Sequence, residues 1–192
     1  MTRGRRRGWI AAAAVVAAAA IAFASLAGLA RVAGDDMLPG LGDGAGVVFL
    51  RRATIRRGDL ILFRHGGGVV LRRVIGLPGE HLTFDGMVPT VDGVRAEHEP
   101  IARVTLYGRD MQVVRERIAG AVHDVIDDPK RRLTGVPDAD TGTGYYVMAD
   151  LREYAPDSRN YGVIPPDAVV GVVWFVWSRG DRPPIAPITR PP

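Results

Sequence analysis

The hydrophobic pattern of this chain changes character once, near Ala30. Across 9–30 no charged side chain interrupts a run dominated by Ala, Val, Ile and Leu. As a helix rising 1.5 Å per residue it spans about 33 Å, close to the hydrocarbon thickness of a bilayer. Beyond it, short apolar runs alternate with Gly, Pro and Asp. The runs 47–50, 60–63, 69–75, 81–84, 87–91, 113–117, 145–148 and 169–177 read as β-strands. Arg57-Gly58-Asp59, Asp85-Gly86, Asp92-Gly93 and Asp140-Thr141-Gly142 carry turn chemistry between them, and Gly66-Gly67-Gly68 reads as a hairpin tip. In Leu77-Pro78-Gly79-Glu80, Pro then Gly stand at the centre of a type II turn.

No long amphipathic helix follows the apolar run, so the fold class predicted is mainly β, one antiparallel domain behind one N-terminal transmembrane helix. The boundaries expected are a basic segment 1–8, the helix 9–30, the β domain 31–178 and a Pro-rich tail 179–192 outside the core. The polar stretch 124–143 reads as a surface loop. The run 169–177 is apolar on both faces, as in a central buried strand. The competing reading sets Trp174, Phe175 or Trp177 at a membrane interface, with Met37 and Leu38 in the same role.

Side-chain alternation matters most in 69–75, where Arg72 and Arg73 are consecutive. Successive strand residues face opposite sides, so only one of the two is aimed at any one site.

Composition narrows the chemistry. A chain of 192 residues accommodates one ordinary domain plus an anchor. Its net charge of +4 owes much to Arg3, Arg5, Arg6 and Arg7, which precede the apolar run. That order places the N-terminus in the cytoplasm and the domain outside, with membrane lipid as a partner. No zinc-finger, RRM or helix-turn-helix signature accompanies the charge, which argues against nucleic acid. A cleaved signal peptide is the alternative to an anchor, with small residues at Ser25 and Ala27 or Gly28 and Ala30, but its apolar region is usually only about 7–15 residues long.

Cysteine is absent, Lys130 is the only lysine, and Ser25, Ser158 and Ser178 are the only serines. His65, His81, His98 and His123 lack metal-ligand spacing. No metal and no cofactor is predicted. Asp35 and Asp36 adjoin, whereas an aspartic-protease pair comes from separate segments.

The segments in order resemble one family. An anchor, then Met37-Leu38-Pro39, then Arg57-Gly58-Asp59-Leu60, then Arg73-Val74-Ile75-Gly76-Leu77-Pro78-Gly79, then Asp150 with Arg152, then Asp157-Ser158-Arg159 is similar to the bacterial type I signal peptidases. The resemblance implies a β domain on the outer face of the plasma membrane that cuts exported preproteins after small residues. It also implies a serine nucleophile directly before the Met-x-Pro segment and a lysine base directly before Arg-Val-Ile-Gly-Leu-Pro-Gly.

Laid onto this chain, those positions are Asp36 and Arg72. Arginine stays protonated at working pH, and an ionised carboxylate has no proton to give. The family's base-orienting serine falls at Ala155, and Ala149 and Leu151 replace its Gly and Asn. Met37, Leu38, Pro39, Arg73, Asp150, Arg152, Asp157, Ser158 and Arg159 are then groove or supporting residues. The expectation is a catalytically silent homologue, with Asp36 and Arg72 ion-paired, that binds extended peptide or export segments in secretion or surface assembly. An active peptidase with a displaced pair would need Lys130 buried beside Ser158 or Ser178. A third reading is an anchored structural partner without a groove.

Overall fold

The computed structural model describes residues 3–131 and 133–187. Its first element is helix α1 (Arg3–Leu26), followed by strand β1 (Ala27–Arg31). The apolar run therefore does not continue as one helix to Ala30. Its last residues pair antiparallel with β2 (Gly46–Leu50), from Ala27 opposite Leu50 to Arg31 opposite Gly46. Two features end the helix there. Arg51 donates its main-chain N–H to Leu26 O at 2.8 Å and its guanidinium to the carbonyls of Ser25 and Ala27, supplying donors to the last turn. Gly28 lets the strand lie on the Phe49 ring, since a Cβ there would come within 2.3 Å of it. Among the described residues, no helix is long and apolar enough to cross a membrane.

The rest is antiparallel β. β3 (Leu60–His65) and β4 (Gly68–Gly76) form a hairpin whose tip, Gly66 and Gly67, has positive φ at both positions. With β12 (Tyr146–Met148) and β13 (Val169–Ser178) they complete a six-stranded sheet in the order β1-β2-β13-β3-β4-β12. β5 (His81–Asp85), β6 (Val88–Val91), β7 (Val94–Arg95) and β11 (Ala139–Asp140) make a small second sheet. The third consists of β8 (Glu97–Leu106), β9 (Arg109–Ile118), β10 (Ala121–Asp127) and β14 (Ile185–Pro187), ordered β10-β9-β8-β14. One short helix, α2 (Ser158–Tyr161), and a 3-10 turn, Pro166–Ala168, lie between β12 and β13.

Three expectations are corrected here. The stretch from Asp124 is not all loop, because 121–127 is β10. There Ala121, His123 and Val125 turn inward, and the polar residues that disguise the strand are paired, His123 with Glu116 and Asp124 with Arg115. The tail does not stay off the domain. Gly42 N–H donates to Arg179 O and Asp181 N–H to Asp43 O, both at 2.9 Å, and β14 then pairs with the edge of β8. Finally, β13 is central in its sheet but buried only in part: Val172 lies in the core, whereas Trp174, Phe175 and Trp177 are 63%, 54% and 43% exposed. Phe23 of α1 meets Trp174 edge-on, with ring centroids 6.1 Å apart.

One consequence positions the site. Met37 packs with Val47, Leu62 and Leu71 of the large sheet, whereas Leu38 packs with Val104, Met111, Val113 and Leu151 beneath the third. The turn carrying Asp36 is thus held between the two cores by adjacent apolar side chains.

Candidate functional site

β4 brings its two arginines to opposite faces. Arg72 points to the turn after β1, where its Nη2 donates to Asp36 Oδ2 at 2.6 Å. Its Nε donates to Pro156 O at 2.9 Å and its Nη1 to Leu71 O at 2.6 Å. Only 6% of the Arg72 side chain is exposed, against 39% for Asp36. The guanidinium is therefore fixed on three sides while the carboxylate keeps one edge toward solvent.

Arg73 turns the other way and grips Asp150 through two parallel bonds, Nε to Oδ1 at 2.8 Å and Nη2 to Oδ2 at 2.6 Å. Its Nη1 donates to Gly58 O at 2.7 Å, which ties in the Arg57-Gly58-Asp59 turn. Burial opposes the Arg73 charge, but Asp150 outweighs it and holds the guanidinium above its ordinary value. Arg57 makes a comparable fork to Glu80, which also accepts the Leu77 N–H, so the Pro78-Gly79 corner is braced from inside.

The remaining candidate residues form a support behind this pair. Asp157 caps α2 and accepts the Ala149 N–H at 2.9 Å, and Arg159 bridges Asp157 to Arg152 O. Ser158 Oγ accepts the Val147 N–H at 2.9 Å in a buried setting. Arg152 is 1% exposed and donates to Glu116 Oε1 at 2.6 Å. Ala155 is buried next to Pro156, whose carbonyl receives Arg72. Pro39 lies away from Arg72, in a separate cleft with Arg73 and His123. Lys130 is exposed on the turn after β10.

Sequence reasoning missed Glu116. It lies on the row of β8, β9 and β10 where His98, Glu116 and His123 are direct neighbours, and His98 Nε2 and His123 Nε2 approach its two oxygens at 2.7 and 2.9 Å. Burial pushes the Glu116 carboxyl up, yet Arg152 and the two histidines hold it well below the usual carboxylate range. Burial keeps His123 below its ordinary value. No motif marks such a row, because its members are neighbours only through strand register. Among the described residues, no group of three or more His, Cys, Asp or Glu is placed to hold a metal ion.

Beside Asp36 and Arg72 opens a slot of about 240 Å³. One wall is the end of β1 and the residues after it, 30–33, and the other is 69–72 of β4, with Val47 and Leu62 closing the inner side. Both walls are strand edges. β1 pairs only with β2, and β12 pairs with β4 from Arg73 onward, leaving 69–72 paired with β3 alone among the described residues. An edge of this kind offers main-chain donors and acceptors to an extended segment. The slot itself is mostly apolar, from Ala30, Val32, Ala33, Met37, Val69 and Leu71.

The chain matches the family model described as signal peptidase, peptidase S26, over residues 6–178. It is 31% identical over 124 residues to signal peptidase I V of Bacillus subtilis (strain 168), covering 64% of this chain and 67% of that protein. To signal peptidase I of Bacillus caldolyticus it is 28% identical over 179 residues, 90% of each chain. To signal peptidase IB of Staphylococcus aureus (strain COL) it is 27% identical over 150 residues, 75% and 74% of the two. A solved signal peptidase I from Enterococcus faecalis V583 aligns with a TM-score of 0.36 at 20% identity, over 62% of this chain and 97% of that one.

Proposed function

Because this chain belongs to the signal peptidase family, peptidase S26, we propose that it is a non-hydrolytic member that binds extended peptide segments of exported proteins in the slot beside Asp36. The single observation that carries this reading is the Arg72–Asp36 contact at 2.6 Å, at the two positions that would hold base and nucleophile. That chemistry needs a hydroxyl to attack and a neutral amine beside it to take the proton, and the two positions hold a carboxylate and a guanidinium instead.

What remains is a binding device. The two strand edges lining the slot supply main-chain hydrogen bonds, and its apolar side chains, among them Val32, Met37, Leu62 and Leu71, favour apolar residues in the segment. The exposed rings of Trp174, Phe175 and Trp177, with Phe23 against Trp174, support a lipid interface with the domain on the outer side and the basic N-terminus in the cytoplasm. Secretion or surface assembly is the setting in which such a peptide-holding protein acts.

The test pairs binding with cleavage. The detergent-solubilised full chain is mixed with a fluorescent preprotein segment carrying an Ala-x-Ala site. Retention of the segment without cutting is expected. Cutting by the natural protein would overturn the reading, and so would absence of binding. The double change Asp36→Ser with Arg72→Lys is expected to give detectable cutting, since it restores a hydroxyl and an amine at those positions and leaves the main-chain edges of β1 and β4 in place.

A further inference from the structure

Between the C-terminal tail and the third sheet opens a cleft of about 530 Å³, lined by Arg73 and not by Arg72. The tail contributes Arg179, Arg182 and Ile185, and β8 and β10 contribute Ile101, Val122 and His123. The His123 side chain is 4% exposed, with Nε2 lying 2.9 Å from Glu116 Oε1. Its other nitrogen, Nδ1, is buried and has no hydrogen-bond partner among the described residues. The Glu116 carboxylate accepts from Nε2–H, so the neutral ring leaves a bare lone pair at Nδ1. Buried polar atoms are nearly always paired, and an orphan on a ring that lines a cleft marks a partner still to come.

The same cleft carries positive charge that the protein does not balance there. Arg73 is held by Asp150 at 2.6 Å, and Asp124, the one acid of the described lining, is held by Arg115 at 2.9 Å. Arg179 donates only to a carbonyl, Gly40 O at 3.3 Å, and Arg182 is exposed. Asp43 and Asp181, the acids of the strap, do not line the cleft, and residues 188–192 contain no acidic side chain. Two guanidiniums and one imidazole nitrogen therefore line one space without a carboxylate to share.

We propose that this cleft binds a carboxylate carried on an apolar body, as at the C-terminal residue of a peptide, with Arg179 and Arg182 taking its charge and His123 Nδ1 bonding it. A guanidinium forks onto a carboxylate through two parallel bonds, and Ile101, Val122 and Ile185 cover the carbon body. Inorganic phosphate has no such body to cover. In the protein alone, burial and the charge of Arg73 keep His123 below its ordinary value, against the pull of Glu116 and Asp150. Around the ring, Arg152 Nη2 lies 3.4 Å from Nε2, and His98 shares Glu116 from the far side. An incoming anion supplies the missing counter-charge, so the ring takes one proton from solvent at Nδ1 as the carboxylate enters, and no other bond changes. The site stands apart from the slot beside Asp36 and does not depend on what that slot holds.

The experiment titrates the full chain in detergent with acetyl-Ala-Leu as the free acid and as its amide, and with hexanoate and inorganic phosphate. Calorimetry is run at pH 6.5 and pH 8, in buffers of different ionisation enthalpy. The acid is expected to bind at least about tenfold more tightly than the amide, to take up about one proton at pH 8, and to bind severalfold more tightly at pH 6.5. Arg179→Gln with Arg182→Gln, both on the exposed tail, is expected to erase the preference for the acid, and His123→Gln to remove the proton uptake. Hexanoate binding as well as the dipeptide acid would support the carboxylate site with an aliphatic acid as its ligand; much weaker hexanoate binding would support it with a peptide end. Equal affinity for acid and amide, absence of binding, phosphate binding as tightly as the acid, uptake of no proton at pH 8, or a preference that survives the double arginine change would overturn the proposal.

Discussion

Arg72 and Arg73 are consecutive on one strand and serve opposite sides of it: Arg72 reaches Asp36 beside the slot, Arg73 reaches Asp150 in the support behind it. The pleat that separates them lets a single strand both present a site and anchor it. Substitutions at the two positions should therefore fail differently.

Asp36→Ala leaves the Arg72 charge with two carbonyl partners and no counter-ion. Because the Asp36 side chain is 39% exposed, water replaces much of what is lost, and the cost should be small, about 1 kcal/mol. Arg72→Met removes a guanidinium that is 6% exposed together with its bond to Pro156, and should cost more. Urea unfolding of the two variants checks the order; equal losses would mean the ion pair, not the Pro156 contact, dominates.

Arg73→Met or Asp150→Asn breaks a two-bond pair whose members are 13% and 1% exposed, and each should cost about 3–5 kcal/mol. A double-mutant cycle should show strong coupling, because the second change removes a charge already stranded by the first. Additive losses would show that the two residues act separately.

Stability should respond to pH through two groups with opposite signs. Glu153 is raised in the folded chain, to about 8 from an ordinary 4.5, so its contribution is full below about pH 4.5 and is lost as pH rises through about 8. His123 is lowered from 6.5, so its contribution is present above that value and is lost as pH falls below it. Glu153→Gln should flatten the alkaline limb of a melting-temperature profile and leave the acid limb in place. An unchanged alkaline limb would remove Glu153 as its cause.

Gly42→Ala should loosen the tail. A Cβ at residue 42 would lie 1.6 Å from Asp181 O, a main-chain atom that cannot rotate aside. The loop and the tail must separate, at about 1–3 kcal/mol. The variant should be cut by trypsin at Arg179 or Arg182 well before the natural protein is; identical digestion rates would show that the strap bears no such strain.

Much of the architecture was legible along the chain. Gly66-Gly67, Pro78-Gly79 and Asp92-Gly93 mark corners because few other residues accept their dihedrals, and each is a corner in the fold. Strand period alone separated Arg72 from Arg73. What stayed hidden were elements whose pattern is mixed with charge. β8 and β10 carry His98, Glu99, His123 and Asp124, polar residues that pair with their cross-strand neighbours on β9 instead of marking loops. β1 was hidden inside an apolar run, since Ala and Leu suit a helix as well as a strand and only pairing with β2 decides between them.

Local dihedral preference, side-chain period and residue chemistry are properties of short segments, so the residues themselves determined the β class, the corners and the pairing of opposite charges at the site. Long-range register is not such a property. Only the tertiary structure decided that Pro156 receives Arg72, that Glu116 stands between two histidines and Arg152, that the tail straps the Asp36 loop, and that Glu153 meets Asp127 across a cleft. Each contact joins segments far apart in the chain, and only the closing of three sheets around shared cores brings them within reach.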